Sequence, residues 1–109
     1  MKMIMAVIRP EKFDAVKQAL ADKGYYGMTV TEVSGRGEQR GVCLQYRGKP
    51  IHVDVIEKIE IQMAVCDEEA DEVIEIIRKT AYSGKIGDGR IFVLPVEKAI
   101  TIRTGEVFD

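Results

Sequence analysis

The sequence predicts an α+β domain in which two β-α-β units fold into one antiparallel sheet with two helices on one face. Three observations predict it. Apolar residues form strand-like stretches at 2–8 and 58–65, and the second alternates cleanly. Between the strands, apolar residues recur at helical spacing in two further stretches. The strand–helix–strand order then occurs twice within 109 residues, a length that suits one domain, with no compositional break at which to divide it.

Residues 2–8 read as a strand apolar on both faces, with Met3, Met5 and Val7 on one side and Ile4, Ala6 and Ile8 on the other. Pro10 suits the first turn of a helix because it has no N–H to leave unpaired. Phe13, Val16, Ala19 and Leu20 supply that helix's apolar stripe, and Gly24 supplies its stop. A second strand follows at 28–33. The third, 58–65, sets Ile59, Ile61, Met63 and Val65 against Glu60, Gln62 and Ala64. Asp67 is a good N-cap, and Glu68, Glu69 and Asp71 favour the positive end of the helix dipole. Ala70, Val73, Ile74, Ile77 and Ala81 form the stripe of this second helix, which ends before Gly84. Residues 90–96, closed by Pro95, make the fourth strand. The order βαββαβ is the split-βαβ, ferredoxin-like pattern. Residues 36–56 fit it poorly, because about 20 residues of weak periodicity separate two clear strands. A connection that long in a compact domain is expected to be a functional loop.

Composition excludes several classes. With 16 basic and 18 acidic residues the net charge is −2, too balanced for a phosphate-backbone binder, so no nucleic-acid partner is expected. The longest apolar run, residues 4–8, is far short of the ~20 residues of a membrane span. Two cysteines and no leader-like opening point to a reducing cytoplasm. The near-neutral total hides local imbalance. Arg36, Arg40, Arg47 and Lys49 stand against Glu38 alone, 4 − 1 = +3, whereas 67–79 carries two bases and six acids, 2 − 6 = −4. The basic stretch lacks the interleaved aromatics of a single-strand platform and suits compact anions or a partner surface.

Glycine is unevenly spread. Gly35, Gly37, Gly41 and Gly48 form one cluster, and Gly84, Gly87 and Gly89 another. In Gly84-Lys85-Ile86-Gly87-Asp88-Gly89-Arg90 the glycines would let backbone N–H groups converge on an anion, with Lys85 and Arg90 adding charge. A tight helix-to-strand turn explains the same string. Gly35-Arg36-Gly37-Glu38-Gln39-Arg40-Gly41 is not a dinucleotide fingerprint, because its spacing differs and it opens no helix. It reads either as close backbone approach to a ligand or as a hinge. Cys43, Cys66 and His52 lack the paired spacing of a metal site, which leaves Cys66 as a buried thiol ending a strand and Cys43 as a loop thiol. His52 as a phosphorylated nucleophile would need a fixed pocket, and no general acid–base pair sits on a rigid element, so nothing argues for an enzyme.

Over essentially all its length the chain resembles the PII signal-transduction proteins, in particular their GlnK-like members. The sharpest match is Ser83-Gly84-Lys85-Ile86-Gly87-Asp88-Gly89-Arg90-Ile91-Phe92-Val93, supported by Gly27-Met28-Thr29-Val30-Thr31-Glu32-Val33 and Ile102-Arg103-Thr104-Gly105-Glu106. The resemblance implies a single PII-like domain over 1–109, assembled as a homotrimer with nucleotide clefts between subunits. It places a long T-loop at 36–56 between the second and third strands, a B-loop at 82–90 and a C-loop at 97–109. It further implies competitive ATP and ADP binding. Gly87, Asp88, Gly89 and Arg90 would hold phosphates, and Arg103 would reach in from a neighbouring subunit. Thr29, Gln62 and Ala64 would line the base, with Val7, Gly35 and Gly37 beside it.

The resemblance also implies 2-oxoglutarate sensing through Mg²⁺ completed by ATP phosphates. Gln39 would be the metal ligand and Lys58 would pair with an oxoacid carboxylate, with Arg9, Gly41 and Gly87 alongside. The implied output is inhibition of an Amt-type ammonium transporter, with Arg47 of Tyr46-Arg47-Gly48 as the pore plug, and reversible membrane association through that transporter. Regulation of a soluble enzyme, glutamine synthetase or nitrogenase, is the alternative output. Three positions depart from the family pattern. Ile51 stands where many bacterial members carry a uridylylated tyrosine, which excludes that modification there. Glu38 and Thr101 stand where arginines are common, which should weaken ATP binding or shift the ATP/ADP balance.

Overall fold

The computed structural model describes residues 1–36, 42–46, 49–53 and 55–109, with 42–46 and 49–53 as backbone only. A four-stranded antiparallel sheet is built from β1 (Lys2–Ile8), β2 (Thr29–Gly35), β5 (Ile56–Val65) and β6 (Gly89–Pro95), in the order β2-β5-β1-β6. Two helices, α1 (Phe13–Asp22) and α2 (Asp67–Ala81), pack on one face. This is the expected α+β, ferredoxin-like arrangement.

Both helices have legible ends. Arg9 is extended and Pro10 begins a short 3₁₀ turn, Pro10–Lys12, that leads into α1. At the other end Tyr25 N–H donates to Leu20 O at 2.9 Å, Gly24 N–H to Ala21 O at 2.9 Å, and Gly24 takes φ +88°. That is a Schellman stop, and only a residue tolerant of positive φ completes it without strain. The expected cap of α2 is displaced by one residue. Cys66 occupies the extended N-cap position and makes no side-chain cap, while Asp67 is the first helical residue. The Asp67 carboxylate is instead 2.8 Å from the Met1 amino group, an ion pair that competes with capping. Cys66 is also exposed rather than buried, because it follows the last inward-facing residue of β5, Val65.

The core lies between the helices and one sheet face. Ile4, Ala6 and Ile8 of β1, and Ile61, Met63 and Val65 of β5, meet Val16 and Leu20 of α1 and Ala70, Val73, Ile77 and Ala81 of α2. Each large aliphatic side chain buried this way contributes roughly 1.5–3 kcal/mol. The alternate residues on the opposite face have no helix over them.

The connection 36–56 is not without regular structure. Val42–Tyr46 (β3) and Lys49–Val53 (β4) pair as an antiparallel ladder, from Val42↔Val53 to Tyr46↔Lys49. The β-formers Val42, Leu44, Tyr46, Ile51 and Val53 supply the propensity, but five-residue runs interrupted by Pro50 read weakly as strands. A further short ladder joins β7 (Ala99–Ile100) to β8 (Val107–Phe108), closed by Gly105 N–H to Thr101 O at 2.7 Å. Among the described residues no helix is long and apolar enough to cross a membrane.

Candidate functional site

The glycine-rich loop between α2 and β6 is the most highly organised irregular segment. Gly84, Gly87 and Gly89 take φ of +85°, +100° and +106°. Gly89 has a second constraint, because a Cβ there would lie 1.8 Å from the carbonyl oxygen of Val7 on the paired strand β1. No side chain fits at that point, so β1 and β6 can close only around glycine.

Asp88 is the hub of the loop. Its carboxylate accepts from Ser83 N–H at 2.8 Å, Gly84 N–H at 2.9 Å, the Ser83 hydroxyl, and Arg9 Nε at 3.0 Å. Arg9 also donates through Nη2 to Ile86 O at 2.8 Å, tying the chain after β1 to the middle of the loop. Lys58, near the start of β5, donates through Nζ to Gly87 O. Two segments outside the loop, the chain just after β1 and the start of β5, thus fasten it.

The electrostatics follow from these contacts. The Ser83 hydroxyl and N–H, reinforced by Arg9 and Gly84 N–H, hold the Asp88 carboxyl far below the usual carboxylate range. Partial burial and the neighbouring Arg9 guanidinium push the Lys58 ammonium below its ordinary value. Lys58 spends one of its three N–H donors on Gly87, so two remain for an anion.

The sheet register shows which predicted residues meet. Arg90, Val7, Glu60 and Thr31 form one cross-strand row, and Phe92, Met5, Gln62 and Thr29 the next. Leu94, Met3 and Ala64 form a third. Val7, Thr29, Gln62, Ala64 and Arg90 therefore share the sheet face away from the helices. Gln62 Nε2 donates to Glu60 Oε1 at 3.2 Å across that face. Arg9, Lys58, Gly87 and Asp88 cluster at its edge, and Gly89 leads into the row headed by Arg90. Gly35 ends β2 opposite Ile56. Arg103 is exposed in the turn between β7 and β8, and no hydrogen bond or ion pair among the described residues joins it to the loop. Gly37, Gln39, Gly41, Arg47 and Gly48, with Glu38, lie outside the described residues, as does the Tyr46 side chain.

Two concavities border this region. One of about 330 Å³ lies on the helix side, between Ile8, Ile77, Tyr82 and Arg90. The other, about 280 Å³, is bounded by Pro10, Glu32, Ser34, Glu57 and Lys58. The helix-side hollow has a mainly aliphatic floor, whereas the cations Arg9 and Lys58 stand at the open-face edge. Donor chemistry favours the latter as the anion site. Among the described residues no group of three His, Cys, Asp or Glu could hold a metal.

Sequence reasoning missed the role of Ser83 and the side-chain role of Asp88. It assigned Asp88 to phosphate, yet its carboxylate is fully engaged within the loop, which leaves its backbone N–H as the group it can offer an anion. The signal was present: a Ser and an Asp bracketing a glycine loop are residues that commonly bond local backbone N–H groups.

Comparison with known proteins adds a separate line. Residues 1–106 match the family model described as nitrogen regulatory protein P-II. The chain is 51% identical to nitrogen regulatory protein P-II 2 of Methanothermobacter thermautotrophicus, covering 97% of this chain and 92% of that one. It is 52% identical to nitrogen regulatory protein P-II of Pasteurella multocida, covering 97% and 95%. Against nitrogen regulatory protein GlnK of Escherichia coli K12 the identity is 47%, with the same coverage.

Proposed function

This chain belongs to the nitrogen regulatory protein P-II family, and from that premise we propose that it is a trimeric sensor of ATP or ADP and of 2-oxoglutarate that inhibits an Amt-type ammonium transporter. The observation that carries the reading is the fastened loop at 84–89, with Lys58, Arg9 and Arg90 around it at the edge of an open sheet face. Converging cations suit a polyphosphate better than a neutral ligand, because arginine binds phosphate oxygens in a planar, bidentate manner.

In this reading the backbone of Gly87, Asp88 and Gly89, with Arg90, holds the phosphates. Thr29, Gln62 and Ala64 line the base, with Val7, Gly35 and Gly37 beside it. Asp88 and Ser83 keep the loop in shape rather than touching the ligand. Arg103 comes from a neighbouring copy, consistent with its separation from the loop's hydrogen bonds within one chain. Lys58 and Arg9, with Gly41 and Gly87, receive the oxoacid carboxylate, and the donors left on Lys58 fit that group. Mg²⁺, held through Gln39 and shared with ATP phosphates, would supply an octahedral oxygen shell that couples the two ligands. Arg47, flanked by Tyr46 and Gly48, is the transporter-blocking side chain.

Trimerisation is supported by the apolar open face, where Met3, Met5, Phe92 and Leu94 form adjoining rows and Phe92 and Leu94 are 47% and 42% exposed. Titration calorimetry tests the sensor reading. ATP should bind at micromolar protein, and 2-oxoglutarate should tighten it only when Mg²⁺ is present, since coupling between sites is reciprocal. Absence of ATP binding would end the proposal. Replacing Arg47 with Ala tests the output: transporter inhibition should disappear while nucleotide binding persists. Full inhibition by Arg47→Ala would count against Arg47 as the plug, and a wild type that leaves the transporter open would move the output to a soluble enzyme such as glutamine synthetase.

A further inference from the structure

Arg9 and Lys58 come from different segments, the chain just after β1 and the start of β5, yet they reach carbonyls of adjacent residues. Arg9 Nη2 donates to Ile86 O at 2.8 Å, and Lys58 Nζ donates to Gly87 O. Two like charges are thus held side by side, which costs free energy while both are ionised. Both side chains are drawn in from solvent: Arg9 is 16% exposed and Lys58 is half-buried. Nearby acids relieve the pair only in part. The Asp88 carboxylate is engaged by Ser83, Gly84 and Arg9 Nε, and Glu11 comes only within 3.9 Å of Arg9 Nη1. Burial and the Arg9 charge together favour the neutral amine of Lys58 over its ammonium. A lysine desolvated beside another cation is the kind that acts as a nucleophile.

We propose that Lys58 is a carbon dioxide site, at which its side chain forms a carbamate held by the Arg9 guanidinium. Charge favours this electrophile. Imine formation would leave Lys58 cationic beside Arg9 and acetylation would leave it neutral, whereas addition to carbon dioxide turns the repulsion into an attraction. The Nζ lone pair attacks the carbon, an N–C bond forms as one C=O π pair moves onto oxygen, and one proton leaves nitrogen for solvent. The remaining N–H still donates to Gly87 O, so the loop keeps that bond. Arg9 spends Nε on Asp88 and one Nη2 N–H on Ile86 O. Among the described residues its other three N–H groups make no hydrogen bond, and they suit the new carboxylate. The carbamate also removes the cation assigned above to the oxoacid carboxylate, so carbon dioxide would oppose 2-oxoglutarate. That consequence, unlike the modification itself, rests on the proposed function.

The test is chemical trapping. Full-length protein is equilibrated with ¹³C-labelled carbon dioxide and bicarbonate near neutral pH, alkylated with a trialkyloxonium salt and mapped by mass spectrometry. A labelled, esterified carbamate should appear at Lys58 and be several-fold less abundant at the exposed Lys17, Lys79 and Lys98. Lys58→Arg should abolish it, Arg9→Gln should reduce it several-fold, and Arg9→Lys, which keeps a cation, should restore much of it. Circular dichroism confirms that each variant is folded. A wild type without the adduct at Lys58 overturns the proposal, as does equal labelling of the exposed lysines or an adduct that Arg9→Gln leaves unchanged. Oxoacid binding is measured separately by calorimetry. A protein that gives the adduct yet binds no 2-oxoglutarate supports the carbamate and fails only the sensor reading.

Discussion

On β1, Ile4, Ala6 and Ile8 are buried by the two helices, whereas Met3, Met5 and Val7, one residue out of step, stay only half-buried. The same alternation runs through β5, where Ile61, Met63 and Val65 are buried while Glu60 and Gln62 are half-buried and Ala64 is exposed. One face therefore has its cover within the chain. The other is apolar at β1 and β6 and polar toward β2, without a cover of its own. A face that carries Met3, Met5, Phe92 and Leu94 beside a cation-lined loop has the chemistry of a contact between copies with a ligand at its rim.

The largest expected effect separates neighbours on β5. Ile61→Ala should lower unfolding free energy in urea by about 2–5 kcal/mol through the cavity it leaves in the core. Gln62→Ala, one residue away on the open face, should cost under about 1 kcal/mol. Equal losses would erase the contrast between the faces. Next, Met5→Lys should convert the assembly to monomers by light scattering while circular dichroism is unchanged, because it places a charge within the uncovered face. An intact oligomer would show that this face is not the subunit contact.

A smaller effect is expected where the open face meets its rim. Asp88→Asn keeps the size but removes the charge that gathers Ser83, Gly84 and Arg9, so amide exchange at 83–88 should accelerate and ATP should bind several-fold more weakly. The pH dependence has a definite sign. Because the folded Asp88 carboxyl titrates well below its ordinary value of 3.8, its stabilisation is fully present above that value. It is lost as pH falls through the lower folded value, so acid unfolding of wild type and variant should converge only in strong acid. The smallest effect belongs to the outer surface. Arg78→Ala breaks a pair with Glu75 at 2.9 Å in which the side chains are 59% and 50% exposed, and the melting temperature should not move measurably.

How much of this was legible in the sequence differs by element. The strand at 58–65 and the stripe of α2 could be read because one buried face imposes a period of 2 or 3.6. The ladder of 42–46 with 49–53 could not, since its runs are short and Pro50 weakens the second. Asp67 read as a cap because local chemistry favours it there, but the amino group of Met1 reaches it from another part of the chain.

The sequence alone determined the fold class, the two helices, the covered face and the glycine loop, because all of these follow from local periodicity and backbone freedom. It also carried the family resemblance that the comparisons bear out. Only the tertiary structure decided that Arg9 and Lys58, 77 and 29 positions from their loop carbonyl partners, fasten residues 84–89. It likewise decided that Arg90, Val7, Glu60 and Thr31 stand in one cross-strand row. Each of these depends on which strands lie side by side, and a pairing between distant segments leaves no mark on the residues between them.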